Sequence, residues 1–240
     1  MSFQRGVSLR SGGQPLLERL LPDGTAFADT FADEHCALFP EEEAVIARAV
    51  EKRRREFVTG RWCARRALAA LGVPQGPLVP GKQGEPCWPA GIVGAVTHCV
   101  GYRAAVVARA AEMVTCGIDA EPNEAVPEGV LDVISLPQER AWVAELGRSH
   151  PSVSWDRLLF SAKESVYKAW FPLAARWLDF TEARISVVPA AERHGTFSAE
   201  LLVAGPVLPG GRPLTGFTGR WLVDRGLVVT AITVAAAEAR

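Results

Sequence analysis

Between Pro40 and Leu71, apolar residues recur every three or four positions: Ile46 and Val50, then Phe57, Ala64, Leu68 and Leu71. That period predicts an amphipathic helix. Pro40 with Glu41, Glu42 and Glu43 starts it, Gly72 and Pro74 close it, and Gly60 is its point of interruption. A second helix follows Ser135-Leu136-Pro137-Gln138, a start with capping-box spacing, and runs to about Leu146. A third runs from Trp155, with Ser154 as its cap, to Trp170 and stops by Pro172; Ala162, Val166 and Trp170 face the core. β-Branched runs predict strands over Ile92 to Val96, Tyr102 to Ala108 and Thr115 to Glu121, the last ended by Pro122. Four more fill the end: Ala183 to Val188, Thr196 to Val203, Gly216 to Val223 and Leu227 to Val234. Leu16, Leu17, Leu20 and Leu21 predict a short buried piece. Asp29 to Glu34 reads as loop, and the stretch after Glu121 reads as a long Pro-containing connection to Ile134. Helices and antiparallel strands segregated in this way predict an α+β fold.

Composition narrows the class. The chain has 240 residues, 48% hydrophobic and 22% charged, enough for a real core as one domain or two compact halves. A formal net charge of −1 excludes a general polyanion binder, so any basic site is local and no nucleic-acid partner is expected. The five cysteines are odd in number and lack a C-x-x-C pair, which argues against a disulfide framework or structural zinc and suits a reducing cytosol. The N-terminus lacks a signal-peptide pattern. The longest apolar run near the end, Leu227 to Ala237, falls short of the ~20 residues of a membrane span. The expectation is a soluble cytoplasmic protein without membrane contact.

Five patches carry candidate chemistry. In a strand, Asp119 and Glu121 share a face, roughly 6.5 Å apart, with Ile118 and Ala120 on the other. They are either solvated surface acids or a pair around a hard cation such as Mg2+, which takes one or two carboxylates plus phosphate oxygens. Arg53 and Arg61 fall on the apolar stripe of the first helix, about 12 Å apart along its axis. They either meet the rim or an internal carboxylate, or hold two phosphates of one nucleotide. Arg54, Arg55, Arg65 and Arg66 read as solvated surface. Gly81-Lys82-Gln83-Gly84 lies in a Pro- and Gly-rich loop and is either a ligand loop or a plain turn. His98 ends a strand as a phosphate donor, a proton carrier or a structural residue. Ser161, Glu164 and Lys168 form one helical stripe with Lys163 beside it, which is also the pattern of an ordinary exposed Glu–Lys pair.

Three separated pieces stand in one order: Thr97-His98, Gly117-Ile118-Asp119-Ala120-Glu121, and Phe160-Ser161-Ala162-Lys163-Glu164-Ser165-Val166-Tyr167-Lys168. Together they resemble the phosphopantetheinyl transferases of the Sfp/EntD type. The flanks Gly84-Glu85-Pro86-Cys87-Trp88-Pro89 and Cys99-Val100-Gly101-Tyr102-Arg103 are similar to the actinobacterial members. The resemblance implies a phosphopantetheinyl transferase fold: two similar α+β halves, 1–112 and 113–240, related by a pseudo-twofold with a cleft between them. The first half would hold nucleotide phosphates and the second the metal and catalytic motifs. The implied reaction is Mg2+-dependent transfer of the 4′-phosphopantetheine arm of coenzyme A to a serine of an acyl or peptidyl carrier protein, by a monomer. On this reading Asp119, Glu121 and Glu164 hold Mg2+. Arg53, Arg61, Thr97, His98 and the loop Pro80, Gly81, Lys82 and Gln83 hold the phosphates. Lys163 and Lys168 hold the pyrophosphate, and Glu164, Lys163 and His98 are catalytic. Arg148, Arg157 and the Arg54–Arg55 pair are candidates to meet an acidic carrier. The alternatives are a coenzyme A pyrophosphate hydrolase and a non-catalytic coenzyme A-binding module.

Overall fold

A computed structural model describes the backbone of residues 5–8 and residues 14–237 in full. The predicted α+β class holds. Strands β1 (Arg5–Ser8), β2 (Thr25–Thr30), β3 (Ile92–Cys99) and β4 (Tyr102–Arg109) form a sheet in the order β1-β2-β4-β3. Strands β5 (Met113–Pro122), β6 (Ala183–Ala191), β7 (His194–Leu201), β8 (Gly216–Asp224) and β9 (Leu227–Ala235) form a second, in the order β5-β9-β8-β7-β6. Only β1 and β2 pair in parallel among the described strands. The helices are α1 (Pro40–Ile46), α2 (Glu51–Ala70), α3 (Val130–Ile134), α4 (Pro137–Ser149) and α5 (Trp155–Ala174).

The packing is four layers deep. Helix α2 lies on the first sheet through Cys63, Ala64, Ala67 and Leu68 against Ala26, Ala28, Ala105 and Val107. The two sheets meet face to face, with Phe27, Ala104 and Val106 opposite Ile118, Ala120, Val229 and Ala231. Helix α5 covers the far side of the second sheet through Leu158, Ala162, Val166 and Trp170 against Ile185, Phe197, Trp221 and Ile232. Strand β5, at the edge of the second sheet, therefore has two different faces. Ile118 and Ala120 point into the inter-sheet core, as alternation predicts, and the intervening positions point at α5.

Four expectations need correction. The first helix breaks at 47–50, not at Gly60: Arg54 Nη1 donates to the Ile46 carbonyl at 2.8 Å, satisfying the end of α1. The break removes Val50 and Arg53 from any common stripe with Ile46, and Val50 is 72% exposed. Helix α5 continues past Trp170 to Ala174 with Pro172 inside its last turn. Thr25–Thr30 is a strand extending into the expected loop; all six residues are buried, so no alternation marks it. Val130–Ile134 is a short helix inside the expected connection.

The starts of α1 and α4 are built alike. Pro40 and Pro137 occupy the first turn, where a missing N–H costs nothing. Glu42 then accepts the Phe39 N–H at 2.9 Å, and Glu139 accepts the Leu136 N–H at 2.7 Å. The cap residue of α4 is thus Leu136, not Ser135. Ser154 sits at the cap of α5, but its hydroxyl makes no capping bond. Among the described residues no helix is long and apolar enough to cross a membrane.

Candidate active site

A cleft of ≈ 340 Å³ opens where α2 and β3 face β5 and α5. Gly117 creates it. A Cβ at Gly117 would fall 2.1 Å from the Ser165 carbonyl oxygen and 2.9 Å from the Ala169 nitrogen. Only glycine lets β5 press against α5, and Thr115 secures the contact by donating to the Ala169 carbonyl at 2.8 Å. Two residues beyond Gly117 on the same face, Asp119 meets Lys168 of α5. Its Oδ1 accepts Lys168 Nζ at 2.7 Å and Thr97 Oγ1 at 3.3 Å, while its Oδ2 is buried with no partner. Lys168 also donates to the Ile118 carbonyl at 3.2 Å. Thr97 accepts the Ala120 N–H at 3.0 Å, so its hydroxyl ties β3 to β5 rather than standing free for a phosphate.

Glu121 and Glu164 complete the acidic side. Burial, reinforced by Asp119, pushes the Glu121 carboxyl up to about 7 against the pull of Arg157, whose Nη1 lies 3.1 Å from Glu121 Oε2. Burial also raises Glu164, opposed by Lys168. The opposite wall is basic. Arg53 is half-exposed at the rim, its Nη1 3.3 Å from His98 Nε2. Glu56 faces both, at 3.8 Å from Arg53 and 4.0 Å from His98. Burial holds His98 below its usual value. Arg61 is buried in the wall: Nε donates to the Leu78 carbonyl at 2.6 Å, the guanidinium lies 4.0 Å above the Phe57 ring, and burial lowers it to about 10.

Asp119, Glu121, Glu164, Lys168, Arg53, Arg61, Thr97 and His98 thus line one cleft. Lys163 does not join them. Adjacent residues on a helix diverge by about 100°, and Lys163 turns the other way. Its ammonium donates to Glu139 Oε2 at 2.8 Å and to the carbonyls of Phe180 at 2.6 Å and Ala183 at 3.1 Å. The expected loop also falls short. Pro80, Gly81 and Lys82 line neither the cleft nor the groove beside it; Gln83 lines only the groove, while Gly84 and Pro86 reach the cleft. The loop's amides serve the loop itself: Gly81 N–H donates to the Glu85 carbonyl at 2.7 Å and Gln83 N–H to Glu85 Oε2 at 2.9 Å. Arg65, expected at the surface, is buried, with Nη2 on Glu42 Oε2 and Nη1 donating to the Ala37 carbonyl at 2.6 Å. Glu56 is a cleft residue that sequence reasoning missed, and Arg157, expected as a candidate to meet a carrier, is instead bound to the cleft acid Glu121. Glu56 had a signal, standing three residues after Arg53 at helix-neighbour spacing.

Residues 41–108 match the 4′-phosphopantetheinyl transferase N-terminal domain, and residues 115–204 match the 4′-phosphopantetheinyl transferase superfamily. The chain is 60% identical to 4′-phosphopantetheinyl transferase Svp of Streptomyces mobaraensis, over 88% of this chain and 84% of that one. It is 51% identical to PptT of Mycobacterium tuberculosis, over 87% and 92%, and 49% identical to Npt of Nocardia iowensis, over 92% and 100%. The chain belongs to the 4′-phosphopantetheinyl transferase superfamily. It is an enzyme of this type. The two matched segments of the transferase divide at the cleft: the first holds Arg53, Arg61, Thr97 and His98, the second Asp119, Glu121, Glu164 and Lys168.

Whether the transferase's acids suit a divalent ion can be judged from their oxygens. Among the described residues no three His, Cys, Asp or Glu side chains form a ready metal cage. Mg2+ needs no such cage, because it takes one or two carboxylates and completes its shell with phosphate oxygens and water. A buried carboxylate oxygen without a donor is costly. Asp119 Oδ2 is such an oxygen, and its residue lines the same cleft as Glu121 and Glu164. The donor set fits a hard cation.

Proposed function

We propose that this transferase moves the 4′-phosphopantetheine arm of coenzyme A onto a serine of an acyl or peptidyl carrier protein, with Mg2+ in the cleft. The observation that carries the reading is Asp119: buried, held by Lys168 through one oxygen, and unpartnered through the other. When bound, Mg2+ supplies charge neutralisation at the pyrophosphate. Asp119, Glu121 and Glu164 are the residues that would hold it.

A serine hydroxyl is a weak nucleophile and needs a base. Glu164, which lines the cleft, is the residue that takes that proton. The serine oxygen forms a bond to the phosphorus that carries the pantetheine arm. The P–O bond to the second phosphate breaks, and adenosine 3′,5′-bisphosphate leaves. Lys168, steered by Asp119, places a second positive charge beside the pyrophosphate. Arg53, Arg61 and His98 on the facing wall bind the remaining phosphate charge. Carboxylates with Lys168 on one wall and Arg53 and Arg61 on the other suit a donor whose pyrophosphate and ribose phosphate lie at opposite ends.

Pure protein is mixed with coenzyme A, Mg2+ and apo carrier proteins of the fatty-acid, polyketide and peptide-synthase types, and the carriers are weighed intact. The arm's mass should appear on a carrier, and chelation of Mg2+ or Asp119→Ala should abolish it. No gain on any carrier, with bisphosphate released from coenzyme A alone, would replace transfer by hydrolysis.

A further inference from the structure

The chain that leaves β5 is latched to the start of α5. Asn123 Nδ2 donates to the Ser152 carbonyl at 3.0 Å, and its Oδ1 accepts the Ser154 N–H at 2.9 Å. Asp156 Oδ2 accepts the Val126 N–H at 3.0 Å. Arg157 closes the latch with three arms of its guanidinium. Nε donates to the Glu124 carbonyl at 3.0 Å, Nη2 to the Ala125 carbonyl at 2.9 Å, and Nη1 to Glu121 Oε2 at 3.1 Å. The side chain is only 16% exposed, so it is no free surface cation for a carrier.

Two of those arms grip backbone, which fixes the guanidinium plane, and the third grips a cleft acid. A carboxylate offers about four lone-pair sites over two oxygens. Arg157 engages Oε2, which leaves Oε1 for a further ligand. Arg157 and Glu164 are seven residues apart on α5, two turns along one face. The face that presents Glu164 therefore also carries the residue that holds Glu121.

We propose that Arg157 is a positioning residue of the metal site: it fixes the strand acid Glu121 relative to the helix acid Glu164. It also offsets one carboxylate charge before a cation arrives. Three acids, Asp119, Glu121 and Glu164, share the cleft, where Lys168 is bound to Asp119 and Arg157 to Glu121. Lysine is no substitute. It keeps the charge but lacks the planar fork that reaches two carbonyls and a carboxylate together. The proposal rests on the metal reading above.

The test is Mn2+ affinity, read by electron paramagnetic resonance on the full chain with saturating coenzyme A. Outer-shell partners of metal ligands typically contribute 10–100-fold in affinity. Arg157→Met should weaken Mn2+ by at least about tenfold, and Arg157→Lys by less. In a Glu121→Gln background, Arg157→Met should add almost nothing, because the two residues act as one unit. A general structural role would instead lower the melting temperature and leave the Mn2+ constant alone. Should Arg157→Met fail to fold, Arg157→Lys carries the test and must still weaken Mn2+. Wild-type affinity in a folded Arg157 variant, or equal weakening with and without Glu121, overturns the proposal alone. A wild-type chain that binds coenzyme A but no Mn2+ overturns the metal reading, and this inference falls with it.

Discussion

The two sides of the cleft share a supporting device and differ in what they present. On one side α1 opens with Pro40 and turns Glu42 inward, where it meets Arg65 and Arg61 of the 20-residue helix α2 and accepts the Leu78 N–H at 2.9 Å. On the other, α4 opens with Pro137 and turns Glu139 inward, where it meets Lys163 of the 20-residue helix α5 and accepts the Ile185 N–H at 2.7 Å. Both glutamates are fully buried. Each helix is therefore anchored by a buried ion pair. What reaches the cleft then differs in balance: Arg53, Arg61 and His98 with the single acid Glu56 from one side, Asp119, Glu121 and Glu164 with the single cation Lys168 from the other. The scaffold is held the same way twice; Arg61 belongs both to the anchor and to the cleft, while the other charged cleft residues stand outside the anchors. Lys163 illustrates the rule: it is the anchoring cation of α5, while its neighbour Glu164 faces the cleft.

The sharpest test of that division is catalytic. Glu164→Gln should lower kcat by about 10²–10⁴-fold in carrier-modification assays. Glu56→Gln, the cleft acid on α2, should lower it by less than about tenfold, as expected for a partly solvated counter-ion. Equal losses would erase the distinction between the walls. The shared device predicts the next largest effect. Glu42→Ala and Glu139→Ala each leave a buried cation without its carboxylate and strand two backbone N–H groups, so each should cost about 3–5 kcal/mol in urea unfolding. A much smaller cost at one would show that the two anchors are not equivalent.

Glycine gives a contrast of intermediate size. Gly117→Ala drives a methyl into the α5 backbone and should cost about 1–3 kcal/mol together with activity. Gly60→Ala on α2 meets only Val96 at 3.6 Å, an ordinary contact, so calorimetry should show a gain of up to about 1 kcal/mol from helix propensity. The smallest effect is in pH. Burial holds His98 below its usual 6.5, so the unfolded chain takes the proton first as pH falls. The stability His98 contributes is present above that value and is lost as pH falls through its folded one. His98→Gln should flatten stability against pH below 6.5, a slight change read by urea unfolding across that range.

Much of this arrangement was legible in the residues because the signals were local. Strand β7 buries every second residue, so its period could be read directly, and the faces of Ile118 and Asp119 followed from the same rule. The anchors were legible only in part: Arg61 on the apolar stripe meets an internal carboxylate, one of its expected alternatives, but Arg65 read as surface because its partner Glu42 lies 23 residues away on a different helix. Nothing in the period of α2 says that an arginine will find a buried acid. The family resemblance implies Lys163 at the pyrophosphate, but helical geometry sends it to a different face from its neighbour Glu164, onto Glu139. The loop at Gly81 looked open to a ligand, yet Glu85 fills the room that its glycine leaves.

The account stands on one cation shared by β5 and α5. A crystal grown with coenzyme A and Mn2+ in place of Mg2+ tests it by anomalous scattering. The predicted result is a single peak in the cleft, in direct contact with Asp119 and Glu164 and with the pyrophosphate of coenzyme A. Coenzyme A seated in the cleft without that peak, or with the ion held away from Asp119, would contradict it.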